Sequence, residues 1–277
     1  MSNFRIASNI GALEAYNALA KLNSQTQKAQ LRLATQKRIN SVADDTSGFS
    51  IGKSLESKVA LMQSAQKNVG SAKDMLATAE SQLVSIRDMI TQIKGKIADS
   101  GNAAADLGSL VNDIKAIAEE IGNGITNTKF NDTNLLGTTA ATGFSFQTGA
   151  STSETLSVDY ADDIASNFNT SKAQIDLLTS TASRSNFTAL ETNLNTFEAT
   201  ISSSLGKVGN FIQRLDAKDD FLTSAITNSQ ASVSRLFDAD VAVEQLNATK
   251  YSIGAQAATA MVAQMNFAPQ QVLQLFG

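Results

Sequence analysis

Apolar residues recur along this chain with a period of seven. Counting in sevens from Met62 gives Val69, Leu76, Leu83, Ile90 and Ile97, and the series three residues later gives Ala65, Ala72, Ala79, Ile86 and Ile93. Two such columns are the a and d positions of a helix that packs along a seam. The pattern returns in Phe187, Leu194, Ile201, Val208, Leu215 and Leu222, with Leu190, Phe197, Phe211 and Ala225 in the second column and Ser204 and Lys218 as polar lapses. At about 1.5 Å per residue, a helix from Leu55 to Ile97 would be on the order of 65 Å long, which predicts a rod. A shorter stripe, Leu107, Leu110, Ile114, Ile117 and Ile121, follows the turn residues Ser100, Gly101 and Asn102, so the chain is expected to double back there. Three stripes that each need a partner predict an antiparallel helical bundle. Val69, Leu76, Leu83, Ile90, Leu194, Ile201, Val208 and Leu215 are expected to be its core, with no ligand among them.

The middle differs. Between Thr138 and Ser185 serine and threonine dominate and helical periodicity fades, while Phe144 to Thr148 and Leu156 to Tyr160 alternate apolar with polar residues around a Gly-Ala-Ser-Thr-Ser loop. These two runs predict a β-hairpin. The ends differ again. Residues 241–277 hold only Glu244 and Lys250 as charged side chains, among Leu246, Ile253, Ala257, Ala260, Met261 and Phe267. Near the start, Ile6, Ile10, Leu13 and Ala20 line one helical face. A helix this poor in charge has too little polar surface to stand alone in water, so both ends are expected to be covered, by each other and by neighbouring molecules. The fold class is mainly α: a long antiparallel bundle or coiled-coil rod with a small hairpin excursion and paired terminal helices. Its divisions are 1–40 (N-terminal helix), 41–135 (first rod half), 136–185 (hairpin and variable insert), 186–236 (second rod half) and 237–277 (C-terminal helix).

Composition narrows the chemistry. Of 277 residues 42% are apolar and 17% charged, and 22 basic against 26 acidic residues leave a net charge of −4. No basic block exists to track a phosphate backbone, so nucleic acid is not expected as a partner. Cysteine, histidine and tryptophan are absent. Disulfides, thiolate nucleophiles, imidazole ligands and Ser-His-Asp machinery go with them, and neither an enzyme nor a cofactor is expected. The single proline, Pro269, lies near the end and interrupts nothing before it. Asn9, Glu14 and Asn17 break any apolar run in the opening segment, and no stretch approaches the roughly 18 apolar residues of a membrane span. Neither a Sec-type signal nor membrane insertion is expected.

Two motifs remain. Leu33 to Ile51 lacks the heptad stripe and places Arg38-Ile-Asn40 before Asp44, Asp45 and Gly48. It reads as a structured joint, with Ser41 and Asp44 in a capping-box-like spacing and both acids near Arg38. Leu33, Arg38, Ile39, Asn40, Ala43, Asp44, Asp45, Gly48 and Ile51 resemble the N-terminal signature L-S-S-G-x-R-I-N-x-A-x-D-D-A-A-G-x-x-I of bacterial flagellins, with Ala34, Thr35 and Gln36 departing from S-S-G. Ser234-Arg-Leu-Phe-Asp-Ala-Asp-Val-Ala-Val-Glu244 resembles the family's S-R-I-x-D-A-D-x-A-x-E, and Gln264 to Gly277, through Pro269 and Leu273, resembles its closing run. Phe146 to Ala150 is similar to the family's F-Q-V-G-A, whereas residues 161–185 match no family pattern. Asp238 and Asp240 are expected to pair with Arg235 or with a neighbouring subunit rather than with a metal.

The resemblance implies a subunit that polymerises with itself into the flagellar filament used for swimming, with its terminal helices folding on assembly. Its implied assembly residues are Ile6, Ile10, Leu13, Arg38, Asn40, Asp44, Asp45, Arg235, Asp238, Asp240, Leu246, Ile253, Phe267, Pro269 and Leu273. It also implies type III export to an extracellular filament, an export chaperone, and junction and cap proteins as partners. The alternatives are a hook-filament junction protein and a secreted coiled-coil adhesin. The zinc protease domain carried by some flagellins needs H-E-x-x-H, which a chain without histidine cannot form. The family's patch for the animal innate-immune receptor, Q-R-x-R-E-L, falls at Thr91-Gln-Ile-Lys-Gly-Lys96. Both arginines and the glutamate are missing there, which implies weak recognition of what is otherwise expected to be solvated surface.

Overall fold

The computed structural model describes residues 9–102, 105–137, 143–161, 163–179 and 183–276, the side chains of 268–276 excepted. The helices are α1 (Ile10–Thr35), α2 (Thr46–Asp99), α3 (Leu107–Asn127), α4 (Ile164–Asp176), α5 (Arg184–Phe237) and α6 (Val241–Phe276). Between α3 and α4 lie four short strands, β1 (Lys129–Phe130), β2 (Thr133–Asn134), β3 (Phe144–Gln147) and β4 (Thr155–Val158). The chain divides into two compact units, residues 58–227 and residues 1–57 with 228–277.

In the 58–227 unit the heptad columns are the core. Val69, Leu76, Leu83, Ile90, Ala72, Ala79, Ile86 and Ile93 of α2 are fully buried, as are Leu190, Phe197, Ile201, Val208 and Leu215 of α5, with Leu194 nearly so. Polar ties fix the direction of the pair. Gln66 and Lys73 reach Asp219, while Lys94, further along α2, reaches Glu198, earlier on α5, so the helices run antiparallel. After the turn at Gly101, α3 returns against α2 with Val111, Ile114, Ala118, Ile121 and Ile125 buried, and Lys96 pairs with Asp113 at 2.6 Å near the turn. Asp106 caps α3 by accepting from Gly108 N. Of the two lapses in the α5 columns, Ser204 is buried and Lys218 places its ammonium over Phe221.

The expected hairpin is present, with Phe144 opposite Val158 and Gln147 opposite Thr155. Leu156 and Val158 face the core and Thr155 and Ser157 face out, the alternation the sequence carries. Two elements here were not expected. Asn131 and Asp132 both take positive φ and close β1 onto β2, a conformation that these short polar residues tolerate. Helix α4 occupies a stretch read as aperiodic: Ile164, Phe168, Ser171 and Ile175 form a buried stripe in which a serine stands at one apolar position. That serine satisfies itself by donating to the Asn167 carbonyl. Phe168 then meets Phe197 with ring centroids 5.8 Å apart.

In the unit formed by the two ends, α1 and α6 are antiparallel: Asn9 donates to the Met265 carbonyl, Gly254 lies under Leu22, and Arg32 reaches Glu244. No helix among the described residues is long and apolar enough to cross a membrane.

Truncating Leu83 or Leu215 to alanine removes fully buried methyls and leaves a cavity, so each should cost about 2–5 kcal/mol in denaturant titrations. Tyr160 is buried and its hydroxyl has no hydrogen-bond partner among the described residues, and burial pushes its pKa up. Tyr160→Phe should therefore leave stability unchanged or raise it by about 1 kcal/mol. A loss as large as that of Leu83→Ala would contradict the assignment.

Candidate assembly surface

The two motifs meet at one joint. Arg38 N donates to the Phe237 carbonyl at 2.6 Å and Ala239 N to the Gln36 carbonyl at 2.9 Å, an antiparallel bridge centred on Lys37 and Asp238. Gln36 takes the left-handed conformation that ends α1. Phe237 is the plug of the joint. It is 2% exposed, packs edge-on against Phe49 at 6.1 Å, and lies so close to Gly52 that a Cβ there would overlap its ring. Lys37 stands over the same ring at 5.5 Å and also pairs with Glu56, which takes Lys53 as well.

The acids of the motifs are occupied by these local bonds. Asp44 accepts from Asn40 N, Ser41 N and the Ser41 hydroxyl, so the Ser41–Asp44 spacing does form a turn, but the cap of α2 is Asp45, which accepts from Gly48 N at 2.9 Å. The cation at Asp44 is Lys28 of α1 at 3.0 Å; Arg38, expected beside the acids, instead donates to the Leu236 carbonyl. Asn40 donates to the Lys37 carbonyl. Nor does Arg235 pair with the second acidic pair. It donates to the Ser232 hydroxyl, Asp238 accepts from Ser234, and Asp240 caps α6 through Ala242 N and Val243 N. Asp44, Asp45 and Asp240 lie in turns where backbone donors come first, and Asp238 is taken by a hydroxyl one helical turn back, so the arginines look elsewhere. Sequence reasoning missed Arg32. Its guanidinium meets the buried Glu244 at 3.2 Å, in the first turn of α6 where the helix dipole favours a carboxylate.

From this joint α1 and α6 lie against each other along a narrow seam of small residues. Ala29 and Ala258 are buried, and Gly11 and Gly254 let Met265 and Leu22 approach. Several larger apolar side chains face out. Ile10, Leu13 and Tyr16 are exposed on α1, and Leu246 (71%), Ile253 (61%), Met261 and Phe267 (62%) on α6. Of the expected assembly residues, Ile10, Leu13, Leu246, Ile253 and Phe267 thus share this uncovered surface. Ile6 lies outside the described residues, as do the side chains of Pro269 and Leu273, which belong to α6. In the stretch Thr91–Lys96, expected to be solvated, Thr91, Gln92 and Gly95 are exposed, Ile93 is core, and the two lysines are engaged, Lys94 with Glu198 and Lys96 with Asp113.

Family comparison gives two matches: residues 6–141 match the bacterial flagellin N-terminal helical region and residues 188–276 the bacterial flagellin C-terminal helical region. The chain is 29% identical to a flagellin of Halalkalibacterium halodurans over 270 residues, covering 96% of this chain and 97% of that one. It is 30% identical to a flagellin of Bacillus subtilis over 302 residues, covering 98% and 99%. A crystal structure of Bacillus cereus flagellin is similar over 60% of this chain and 94% of that one, at 24% identity and a TM-score of 0.47.

The joint titrates in a defined direction. Lys28, aided by the backbone donors of Asn40 and Ser41, holds the Asp44 carboxyl at about 2, below its ordinary 3.8, against the opposing effect of burial. The stability this contributes is complete above about pH 4 and is lost as pH falls through about 2. Melting temperature should therefore drop across that acid window, and Asp44→Asn should melt lower at neutral pH with a flatter acid limb. Between about pH 6 and 8 both should be level, because the resolved shifts take Asp106 and Asp219 down and Lys73, Lys96 and Tyr160 up, away from neutrality. Superimposable acid limbs would remove the Lys28–Asp44 pair from the account.

Proposed function

The chain belongs to the bacterial flagellin family and is a structural subunit of the flagellar filament, and we propose that α1 and α6 are the segments through which one copy joins the next. The observation that carries this is the surface left over when the two helices have packed. Leu13, Leu246, Ile253 and Phe267 remain more than half exposed on the helix pair that holds fewest charges. Apolar surface of this kind gains free energy only when neighbouring molecules cover it. The family polymerises into the extracellular flagellar filament, and copies of this chain supply that cover for one another.

Arg38, Asn40, Asp44, Asp45, Arg235, Asp238 and Asp240 serve assembly indirectly on this reading, by fixing the joint from which the two helices start. Two helices that leave this much apolar surface uncovered are marginally stable alone, so the ends fold fully as neighbours close over them. Ile6, Pro269 and Leu273 are assigned to assembly by the family resemblance alone. Export by the flagellar type III route, an export chaperone, and contacts with junction and cap proteins follow by family resemblance. Catalysis is no part of the proposed role. Nor is strong recognition by the innate-immune receptor: with Gln92 and Gly95 in the patch and the Lys94 ammonium taken by Glu198, no arginine fork is presented.

Limited proteolysis should trim the soluble monomer at both ends to a core that no longer polymerises, while filaments protect the same bonds. A chain lacking α1 or α6 that still forms filaments would overturn the mechanism. In a receptor reporter assay the response should be far below that of a flagellin carrying the Arg and Glu residues, and a full response would refute the patch alignment.

A further inference from the structure

The middle of α5 carries a second uncovered surface, in the 58–227 unit. Lys207, Phe211, Arg214, Lys218 and Phe221 follow one another at steps of four and three, which places them on one face beside the core column. Cation and ring alternate: the Arg214 guanidinium lies 5.4 Å from the Phe211 centroid, and the Lys218 ammonium 5.7 Å from that of Phe221. Two hollows follow the same stripe where it runs past β4. One, of about 470 Å³, is bounded by Asp159, Lys207 and Phe211, and the other, of about 380 Å³, by Leu156, Arg214, Lys218 and Phe221. Phe221 is 60% exposed. Arg214 and Lys218 have no carboxylate partner among the described residues, because the nearby Asp216 and Asp219 are taken by Lys73. Charge and apolar surface are thus left unsatisfied side by side.

A complementary face lies on α2 of the same unit. Asp74, Glu80 and Asp88 fall on one outward arc of the helix and are exposed, with Val84, 40% exposed, between them. Their carboxylates have no hydrogen-bond or ion-pair partner among the described residues. We propose that the groove between β4 and α5 receives the acidic α2 face of a second copy of this chain, with Arg214 and Lys218 meeting its carboxylates and Phe221 meeting Val84. The proposal rests on the filament-subunit reading and adds a second contact to it. Charge decides the geometry. A two-fold contact through either face would set like charges against each other, whereas a heterologous contact pairs basic with acidic and leaves the opposite face of each copy free for the next. Such a contact can repeat from copy to copy, and it builds an open filament when its rotation does not close a ring.

The test uses the full chain, with polymerisation followed by sedimentation over a range of protein and salt concentrations. Arg214→Glu with Lys218→Glu should raise the polymerisation threshold about tenfold and leave the monomer's thermal melt unchanged. Asp74→Lys, Glu80→Lys and Asp88→Lys together should do the same, and a chain carrying both sets should recover the wild-type threshold. Because the native chain has no cysteine, Phe221→Cys copies mixed with Val84→Cys copies should form an intermolecular disulfide that neither forms alone. A wild-type threshold in the Arg214/Lys218 variant, or no recovery in the combined chain, overturns the proposal. So does capture of an anionic polysaccharide or an unrelated acidic protein by the groove while polymerisation is untouched. Should the wild-type chain itself fail to polymerise, the filament reading falls, and the mixed-cysteine disulfide still decides this contact.

Discussion

A helix can turn only one stripe toward one partner, and this limit governs the two ends of the chain. Along the α1–α6 seam the fully covered apolar positions are small, Ala29 and Ala258, with Leu22 and Met265 seated on the opposing glycines, while Leu13, Leu246, Ile253 and Phe267 are turned away from it. Had Leu13, Leu246 or Phe267 stood in the seam, the pair would be a finished structure. Glycines inside let the two helices approach, and the leucines and phenylalanine outside leave apolar surface uncovered.

The 58–227 unit is built on the opposite arrangement. Its columns place Leu, Ile and Val toward the seam and leave few large apolar side chains outward, Val84 and Phe221 among them, so the α2, α3 and α5 stripes satisfy one another within one chain. The direction of the pair is fixed by charge: Lys73 sits between Asp216 and Asp219 and is joined there by Gln66, a set of bonds that a slipped register would break. Surface ion pairs contribute little free energy individually, so their role is to choose the register that the apolar seam would otherwise leave degenerate.

What the sequence revealed follows the range of the forces involved. Heptad columns are repetitive and local in register, and they marked the core of α2 and the first column of α5, whereas Phe211 and Ala225 of the second α5 column are only half-buried. The hairpin announced itself by alternation. Helix α4 did not, because Ser171 occupies a core position and hides the stripe, although Ile164, Phe168 and Ile175 still keep helical spacing. The joint was legible as a motif, yet its bonds were not. Which cation faces Asp44, and that Arg32 rather than Arg235 serves an acid of the C-terminal motif, depends on contacts between residues far apart in sequence. The Phe237 plug had a readable trace: a phenylalanine in one motif and Gly52 just beyond the other, meaningful only once the backbone bridge sets them side by side.

The joint also accounts for the richness of the two motifs compared with the helices they connect. Where α1 ends and α2 begins, and where α5 ends and α6 begins, four helix termini come together, each leaving backbone groups without partners. Asp45 and Asp240 cap two of them, the bridge between Gln36–Arg38 and Phe237–Ala239 satisfies others, and Asp44 collects the donors of the turn between. Short polar side chains at fixed offsets are the economical solution to this crowding, which is why aspartates recur there. A joint so constrained fixes the point from which α1 and α6 leave, and the geometry of their outward apolar faces is inherited from it.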